Sequence, residues 1–216
     1  MLRSRNAPAN RCADPLLLRD ITSCATQELK LDGYRAIGIK VSGAVQLRSR
    51  NDNDFTTRYR AIPKALRPLP DQTVVDGEIV ALDEEGRPSF NLLQNYGSSG
   101  IPLHYYLFDL LVLAGKDLRG EPLSGRPALL ESKVLPKLGE PVRNSVELKA
   151  SLGDLSGSVK AQGLEGLVAK RRSSFYEAGQ RSGSWQKMRT NRGQEFVIGG
   201  YTVSDRNFRC IDLRAL

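Results

Sequence analysis

The sequence predicts an α+β domain built largely on antiparallel sheets flanked by helices. Strand-like and helix-like segments are interspersed along the 216 residues without a regular βαβ repeat, which argues against a parallel sheet. Two β-rich stretches flank Ser42-Gly43, and this small, flexible pair predicts a β-hairpin. A hydrophobic share of 40% is sufficient for a folded core.

The spacing of apolar residues predicts the remaining elements. Apolar positions three and four residues apart between Asp54 and Leu66 predict an amphipathic helix that ends before Pro68. Two further helices are predicted over residues 127–138 and 145–162. Alternating or continuous apolar runs predict strands over residues 73–82, 105–113, 166–170, 184–189 and 195–201.

Charge and cysteine content narrow the class of protein. An excess of 32 Lys+Arg over 24 Asp+Glu gives a formal net charge of +8, which favours polyanionic partners such as nucleotides and nucleic acids. The three cysteines lie far apart without a C-x-x-C pair, so they indicate neither a zinc cluster nor a disulfide framework. With no apolar run of membrane-spanning length and no secretory signal, we expect a cytoplasmic protein.

The segment Glu28 to Arg35 contains the strongest candidate for a nucleophile, Lys30. A lysine attacks phosphate only as the free amine, which nearby positive charge or partial desolvation favours. Gly33 allows a sharp bend and a close ligand approach, and Arg35 can hold phosphate or ribose oxygens with its planar fork. By itself K-x-D-G-x-R is short enough to occur by chance, and an exposed lysine before a turn is then equally acceptable.

Two carboxylates and two cations elsewhere in the chain complete a possible phosphate site. Glu78 lies within a predicted strand and Glu165 at the entry to another, where carboxylates without a role are costly. Together they can hold a hydrated Mg²⁺, although salt bridges to arginines are the alternative. Lys187 and Arg189 are two residues apart on a predicted strand, so their side chains point to the same face. Two cations on one face suit an α-phosphate and would favour the free amine at Lys30.

Six segments in this order resemble the motifs of the covalent nucleotidyltransferase superfamily, and above all bacterial ATP-dependent DNA ligases of the repair type used in end joining. Several ordered motifs are far more specific than any one of them. The resemblance covers roughly residues 28 to 202. The segments are Lys30 to Arg35, Arg48 to Asn51, Asp76 to Glu78, Leu107 to Leu111, Glu165 to Lys170 and Trp185 to Arg189.

The resemblance implies an ATP-grasp-like nucleotidyltransferase fold and a role for each matched residue. Lys30 would form the lysyl-AMP phosphoramidate, and Asp32 would orient the site during the later steps on DNA. Phe108 would stack on adenine, although an aromatic residue in this apolar run is otherwise a core residue. The remaining implied binding residues are Glu28 beside the adenine, Arg35 and Arg50 on ribose or nick phosphates, Glu78 on ribose or metal, Glu165 on metal, and Lys170, Lys187 and Arg189 on phosphate.

The implied function is ATP-dependent DNA ligation, sealing nicks during DNA repair and recombination. ATP and Mg²⁺ are the implied cofactors and nicked double-stranded DNA the partner, for a monomer at the bacterial nucleoid without membrane association. An RNA ligase or capping guanylyltransferase is the alternative within the superfamily. A non-catalytic remnant that only binds nucleic acid is the alternative outside it.

The resemblance also divides the chain into three parts. Residues 1–20 are expected to be a poorly ordered basic tail, and residues 21–193 the adenylation domain. Residues 194–216 resemble the start of an OB-fold domain and are too few for a five-stranded barrel, so a fragment with impaired ligation is expected. Residues 20–27 lack the aromatic and apolar residues expected before the nucleophile, so we expect a poorly built first strand and adenine pocket.

Overall fold

The computed structural model of the chain describes residues 24–99, 101–180, 182–190, 196–203 and 208–215. The fold is α+β, as predicted, with strands and short helices interspersed along the chain. The strands are β1 (Ala25–Leu29), β2 (Tyr34–Val41), β3 (Ala44–Ser49), β4 (Thr73–Ala81), β5 (Leu103–Leu113), β6 (Lys116–Asp117), β7 (Val142–Asn144), β8 (Gly166–Arg171), β9 (Trp185–Arg189), β10 (Phe196–Val203) and β11 (Phe208–Ala215). The α-helices are α1 (Ala61–Ala65), α2 (Phe90–Gln94), α3 (Tyr96–Ser99), α4 (Arg126–Leu129) and α5 (Leu152–Ala161).

Two sheets carry most of the described chain. The larger sheet has six strands in the order β3-β2-β4-β5-β6, with β7 added in parallel to β5. The smaller sheet has the order β1-β8-β9 and is antiparallel throughout. β10 and β11 form a separate antiparallel pair. The prediction of mainly antiparallel pairing is therefore confirmed, with β7 as the parallel addition.

The predicted hairpin at Ser42-Gly43 connects β2 to β3. Both turn residues have positive φ, 51° for Ser42 and 77° for Gly43, which matches the twist of the strands they join. The two carboxylate oxygens of Asp71 accept hydrogen bonds from the backbone N–H groups of Ser42 and Gly43 at 3.1 and 3.0 Å. A side chain outside the hairpin thus fixes its turn.

One face of the six-stranded sheet packs against the segment that follows β3. The apolar residues that predicted a helix there, Phe55, Tyr59, Ile62 and Leu66, are all buried. The predicted helix itself is too long, because α1 begins only at Ala61 and residues 56–60 form turns. Pro63 explains the difference: it has no N–H to donate to the carbonyl of Tyr59, so it fits only in the first turn of a helix, and α1 begins two residues before it.

The other predicted helices are confirmed in part. The segment predicted over 127–138 is helical as far as Lys137, with α4 followed by a π-helical turn at Leu130–Val134 and a 3₁₀ turn at Leu135–Lys137. The helix predicted over 145–162 begins only at Leu152, where Ser151 caps it by accepting a hydrogen bond from the Asp154 N–H. The residues from 145 to the cap belong to no helix or strand, and the Leu148 N–H donates to the carbonyl of Gln27 at 2.7 Å.

Strand β1 corrects the expectation that the lead-in to Lys30 is poorly built. All five of its residues pair in register with β8, from Ala25 opposite Arg171 to Leu29 opposite Leu167. The side chains of Thr26, Gln27 and Glu28 are buried although they are polar. The backbone ladder, rather than apolar side chains, therefore holds this strand in place.

The ends of the chain leave part of the predicted domain division untested. The predicted tail over residues 1–20 lies outside the described residues. β10 matches the strand predicted over 195–201, whereas β11 was not predicted. That residues 194–216 begin an OB-fold domain stays a prediction.

A buried ion pair joins α4 to the centre of the six-stranded sheet. The guanidinium of Arg126 donates to both carboxylate oxygens of Asp109 at 2.7 and 2.9 Å, and neither side chain is exposed to solvent. Asp109 stands opposite Asp76, which is also fully buried. Arg126 therefore supplies charge compensation that water cannot provide at this position.

We expect Arg126→Met to lower the free energy of unfolding by about 3–5 kcal/mol, because it leaves the Asp109 carboxylate buried without a counterion. Urea unfolding followed by circular dichroism measures the change. The matched control is Arg119→Met, which removes a surface pairing with Asp117 whose side chains are 52% and 53% exposed. We expect the control to match the wild type, and similar losses in both variants would contradict this assignment.

Candidate active site

Strand register creates two opposing rows of polar side chains, one on each sheet. On the six-stranded sheet, Arg35 pairs with Glu78, and Asp76 lies two residues before Glu78 on the same face of β4. On the three-stranded sheet, Thr26 pairs with Lys170 and Lys170 with Trp185. The rows meet where the rings of Phe108 and Trp185 approach edge to face, with centroids 5.6 Å apart. The space between them is the candidate site, which we call the cleft.

Lys30 lies at the end of the cleft where β1 stops. Its N–H donates to the carbonyl of Gly166 at 2.9 Å and so continues the β1–β8 ladder by one position. Its ammonium forms an ion pair with the Glu165 carboxylate, and 10% of its side chain is exposed. The guanidinium of Arg189 approaches the same carboxylate oxygen at 3.7 Å. The predicted nucleophile is therefore in contact with a predicted metal ligand and beside a predicted phosphate ligand.

Gly166 permits this close arrangement. Its φ of 153° favours glycine, and an added Cβ would lie 2.0 Å from the Met188 carbonyl oxygen of β9. Gly33 has a similar role after Lys30, because a Cβ there would lie 2.2 Å from the carbonyl oxygen of Ile79. Both glycines let backbone segments meet beside Lys30 without a side chain between them.

Glu78 and Lys187 face each other from the two sheets. Burial raises the pKa of the Glu78 carboxyl to about 7, and the positive charge of Lys187 is the strongest effect opposing the rise. Desolvation and the neighbouring ammonium of Lys30 lower the pKa of Lys187, while Glu78 acts in the opposite direction. The mutual influence of Lys30, Glu78 and Lys187 places all three predicted residues in one charge cluster.

Asp32 belongs to the same cluster, between Lys30 and α2. Burial raises the pKa of its carboxyl, and the nearby Glu165 carboxylate adds to the rise. The charges of Lys30 and Arg189 and a hydrogen bond with the Phe90 backbone oppose it. The two predicted catalytic residues therefore share their electrostatic surroundings.

Lys170 occupies a different part of the cleft from the phosphate region implied by the resemblance. Its ammonium lies 4.4 Å from the ring centroid of Phe108 and 4.5 Å from that of Trp185. It also forms a 2.6 Å ion pair with Glu28, whose other carboxylate oxygen accepts a hydrogen bond from the Ser145 hydroxyl at 2.7 Å. Lys170, Glu28 and Phe108 therefore meet at the aromatic end of the cleft, where a base would stack.

Arg35 connects the aromatic and charged parts of the cleft. It donates to the two carboxylate oxygens of Asp76 at 3.0 and 2.5 Å, and the Tyr176 hydroxyl donates to Asp76 at 3.2 Å. The guanidinium carbon lies 5.6 Å from the centroid of Phe108 and 5.5 Å from that of Trp185. Burial raises the pKa of Asp76, whereas the hydrogen bond from Arg35 lowers it.

Arg50 is the predicted site residue that stands apart from the others. It follows the end of β3, where Ser49 pairs with Ala36, and its side chain is exposed. In the described part of the chain, the hydrogen bonds and ion pairs of the cleft do not include it. Its position beside the start of β2 puts it at the rim of the cleft rather than within it.

Several cleft residues were not predicted as site residues. Trp185 and Asp76 lie inside recognised segments, but their contacts depend on how the two sheets face each other. Ser145 and Tyr176 come from loops, and Ser145 fell within a predicted helix. The signal for Asp76 was available, because a carboxylate inside an apolar strand demands a partner.

The described residues contain no group of three or more His, Cys, Asp or Glu side chains able to hold a metal ion. Mg²⁺ is commonly bound by one or two carboxylates together with substrate phosphates, so the pair of Glu78 and Glu165 remains a suitable donor set. Glu165 Oε2 is buried and accepts no hydrogen bond within the described ranges, which leaves it able to accept a ligand.

Of the helices in the described ranges, none is long and apolar enough to cross a bilayer.

Comparison with known proteins agrees with this architecture. Residues 9–189 match the family described as the ATP dependent DNA ligase domain. The multifunctional non-homologous end joining protein LigD of Pseudomonas aeruginosa is 44% identical over 178 residues, which are 81% of this chain and 21% of that protein. The SPbeta prophage-derived DNA ligase-like protein LigB of Bacillus subtilis is 30% identical over 187 residues, 84% of this chain and 67% of that protein.

Solved structures show the same relationship. A mycobacterial DNA ligase D complexed with ATP and MES superimposes with a TM-score of 0.71 at 35% identity, covering 83% of this chain and 58% of that one. The fold is thus that of a ligase nucleotidyltransferase domain. The chain belongs to the family of ATP-dependent DNA ligase domains.

The raised pKa of Glu78 predicts a pH-dependent stability. The native state retains a proton on Glu78 up to about pH 7, whereas the unfolded chain loses it near the ordinary value of 4.5. Stability associated with this group is therefore fully present below pH 4.5 and is lost as the pH rises through 7. Glu78→Gln removes this dependence. As the pH rises from 5 to 8, we therefore expect the free energy of unfolding of the variant to increase relative to that of the wild type by on the order of 2 kcal/mol.

Urea unfolding without nucleotide or metal at pH 5 and pH 8 measures this gain. Glu84→Gln is the matched control, because Glu84 is an exposed glutamate in the turn after β4. Its stability relative to the wild type should be the same at both pH values. An equal pH dependence of Glu78→Gln and the wild type would show that Glu78 is not desolvated in the cleft.

Proposed function

We propose that this chain is the adenylation domain of an ATP-dependent DNA ligase and that Lys30 accepts AMP from ATP. The observation that carries the proposal is the contact between the Lys30 ammonium and Glu165, inside a cleft that also contains Glu78 and Lys187. Glu165 is in contact with the Lys30 nitrogen and is therefore in position to accept a proton from it. The cationic side chains of the cleft suit the phosphates of a nucleotide, and its aromatic rings suit the base.

The proposed reaction is nucleotidyl transfer to nitrogen. Lys30 would pass a proton to Glu165, and its amine would then attack the α-phosphorus of ATP. An N–P bond forms, the bond from the α-phosphorus to the bridging oxygen breaks, and pyrophosphate leaves with that oxygen and its electron pair. Lys187 and Arg189 would stabilise the negative charge that develops on the α-phosphate. Asp32 is close enough to Lys30 to influence it electrostatically and would orient the later steps.

The base and ribose would bind at the other end of the cleft. Phe108 offers an aromatic face, and Arg35 retains donors beyond the two that Asp76 accepts. Glu28 and Lys170 provide an acceptor and a donor near the ring edge, so we assign them to the base rather than to the phosphates. Mg²⁺, held by Glu78 and Glu165, would neutralise the triphosphate.

The similarity to these relatives supports a proposal about the wider role of this chain. The chain spans about a fifth of the LigD proteins it matches, so ligation and end joining belong to those whole proteins. We infer that the chain acts on nicked double-stranded DNA in a bacterial cytoplasm, in association with the nucleoid. The resemblance of residues 194–216 to the start of an OB-fold domain supports a second domain beginning there.

We expect α-labelled ATP with Mg²⁺ to label the wild-type chain covalently and to leave Lys30→Ala unlabelled, because alanine has no nucleophile. Denaturing electrophoresis separates bound label from free nucleotide. Lys64→Ala is the matched control, since Lys64 is an exposed lysine on α1 outside the cleft, and it should label like the wild type. Label on Lys30→Ala would exclude Lys30 as the attachment point.

The choice of nucleotide separates the enzyme classes. Labelling by ATP and not by GTP supports the ligase, whereas labelling by GTP alone would indicate a capping guanylyltransferase. An absence of label from both, with nucleic-acid binding retained, would indicate the non-catalytic binding module instead.

Arg50 has a separate expected role, since it lies at the rim of the cleft. We expect Arg50→Ala to weaken binding to nicked duplex DNA about 3- to 10-fold at moderate salt, because one phosphate contact is lost. ATP affinity should stay unchanged. Arg87→Ala is the control, since Arg87 is an exposed arginine paired with Asp83 and Glu85. Titration of labelled DNA by fluorescence anisotropy measures the DNA affinity of both variants. A loss of ATP affinity in Arg50→Ala would instead indicate that this arginine contacts the nucleotide.

A further inference from the structure

The loop between β8 and β9 connects the two sheets that form the cleft. It leaves the three-stranded sheet after Arg171 and hydrogen-bonds to the segment that follows β6 of the six-stranded sheet. Three backbone hydrogen bonds make this connection: Leu123 N–H to Ser174 O at 2.8 Å, Ser124 N–H to Arg172 O at 2.9 Å and Tyr176 N–H to Arg119 O at 3.0 Å. The backbone of Tyr176 is therefore fixed relative to the six-stranded sheet.

The side chain of Tyr176 reaches the buried end of the Arg35–Asp76 pair. Its hydroxyl donates to Asp76 Oδ2 at 3.2 Å, the oxygen that also accepts from Arg35 at 2.5 Å. One Arg35 nitrogen lies 3.5 Å from the hydroxyl oxygen. Tyr176, Asp76 and Arg35 thus form a closed triangle of polar contacts.

Asp76 needs more than one donor because its surroundings are unfavourable to negative charge. Its side chain is completely buried, and the buried Asp109 carboxylate stands opposite it across β4 and β5. A carboxylate in this position is stabilised only by the hydrogen bonds it accepts. Loss of the tyrosine hydroxyl therefore changes how Asp76 holds the guanidinium of Arg35.

The orientation of Arg35 matters for the cleft as a whole. Its side chain is 36% exposed, and its guanidinium lies beside both Phe108 and Trp185, between the aromatic and the charged ends. Two of its five N–H donors are used by Asp76, and the direction of the others follows from that pairing. A ligand in the cleft meets those donors.

We propose that Tyr176 is a positioning residue for nucleotide binding, which orients Arg35 through the Asp76 carboxylate that they share. This inference rests on the proposed function, since it assumes that the ligand of Arg35 is ATP. Tyr176 does not itself contact the nucleotide. Its effect passes entirely through Arg35, and that dependence can be measured.

The test is a double-mutant cycle on the full chain, with ATP and Mg²⁺ as the probe. Trp185 is the single tryptophan of the sequence and lies in the cleft, so its fluorescence reports binding. We expect Tyr176→Phe, which keeps the ring, to raise the Kd for ATP about 5-fold. In an Arg35→Lys background, the same substitution should change the Kd by less than about 2-fold, because the fork that Tyr176 orients is already gone.

The controls separate positioning from folding. Tyr96→Phe removes a tyrosine hydroxyl on α3, where the ring packs against Tyr59, and should leave the Kd unchanged. Thermal unfolding shows whether each variant is folded. An equal Kd for wild type and Tyr176→Phe contradicts the inference alone, as does a 5-fold loss that persists in the Arg35→Lys background. A wild-type chain that binds no ATP contradicts the proposed function and this inference with it.

Discussion

The pairing of β1 with β8 is the constraint on which the candidate site depends. These two strands lie far apart in the sequence, and their register sets Lys30 beside Glu165 and Glu28 within reach of Lys170. A slip of one residue would turn every side chain of β1 to the opposite face of the sheet. Lys30, the proposed nucleophile, would then leave the cleft even if both sheets remained folded. The geometry of the candidate site therefore depends first on backbone pairing and then on the side chains.

The cleft is filled with paired charges. Lys30 pairs with Glu165, Lys170 with Glu28, and Arg35 with Asp76, and the acidic partners are each largely buried. Removing such ions from water is costly, and pairing recovers part of that cost. A nucleotide with its metal ion brings both signs of charge, so it can exchange partners with these pairs without leaving a charge unpaired. This arrangement suits a site that alternates between free and nucleotide-bound states.

The two ends of the cleft are chemically distinct. The end with Lys30, Glu78, Glu165 and Lys187 is rich in charge and suits a triphosphate. The end with Phe108 and Trp185 offers aromatic faces and suits a base. Arg35 lies between the two ends and donates to Asp76, which also accepts a hydrogen bond from the Tyr176 hydroxyl. The order of functional groups along the cleft thus follows the order of groups along a nucleotide.

Much of this could be predicted from the sequence, because strand periodicity and motif order are local properties. The hairpin at Ser42-Gly43 and the strands that carry Glu78 and Lys187 are examples. What could not be predicted depends on contacts between distant segments. The polar strand β1 forms because β8 offers a ladder, α1 is shortened by Pro63, and Lys170 lies at the aromatic end because two sheets face each other. Tyr176 was missed for the same reason, since its partners are in the other sheet.

The central claim is that the two facing sheets form one nucleotide site. A crystal structure of the chain with bound ATP and Mg²⁺ tests it most directly. We expect the base against Phe108 and the α-phosphate beside Lys30 and Lys187, with the metal ion between Glu78 and Glu165. A nucleotide bound outside this cleft, for example in the groove lined by Tyr96, His104 and Arg143, would contradict it.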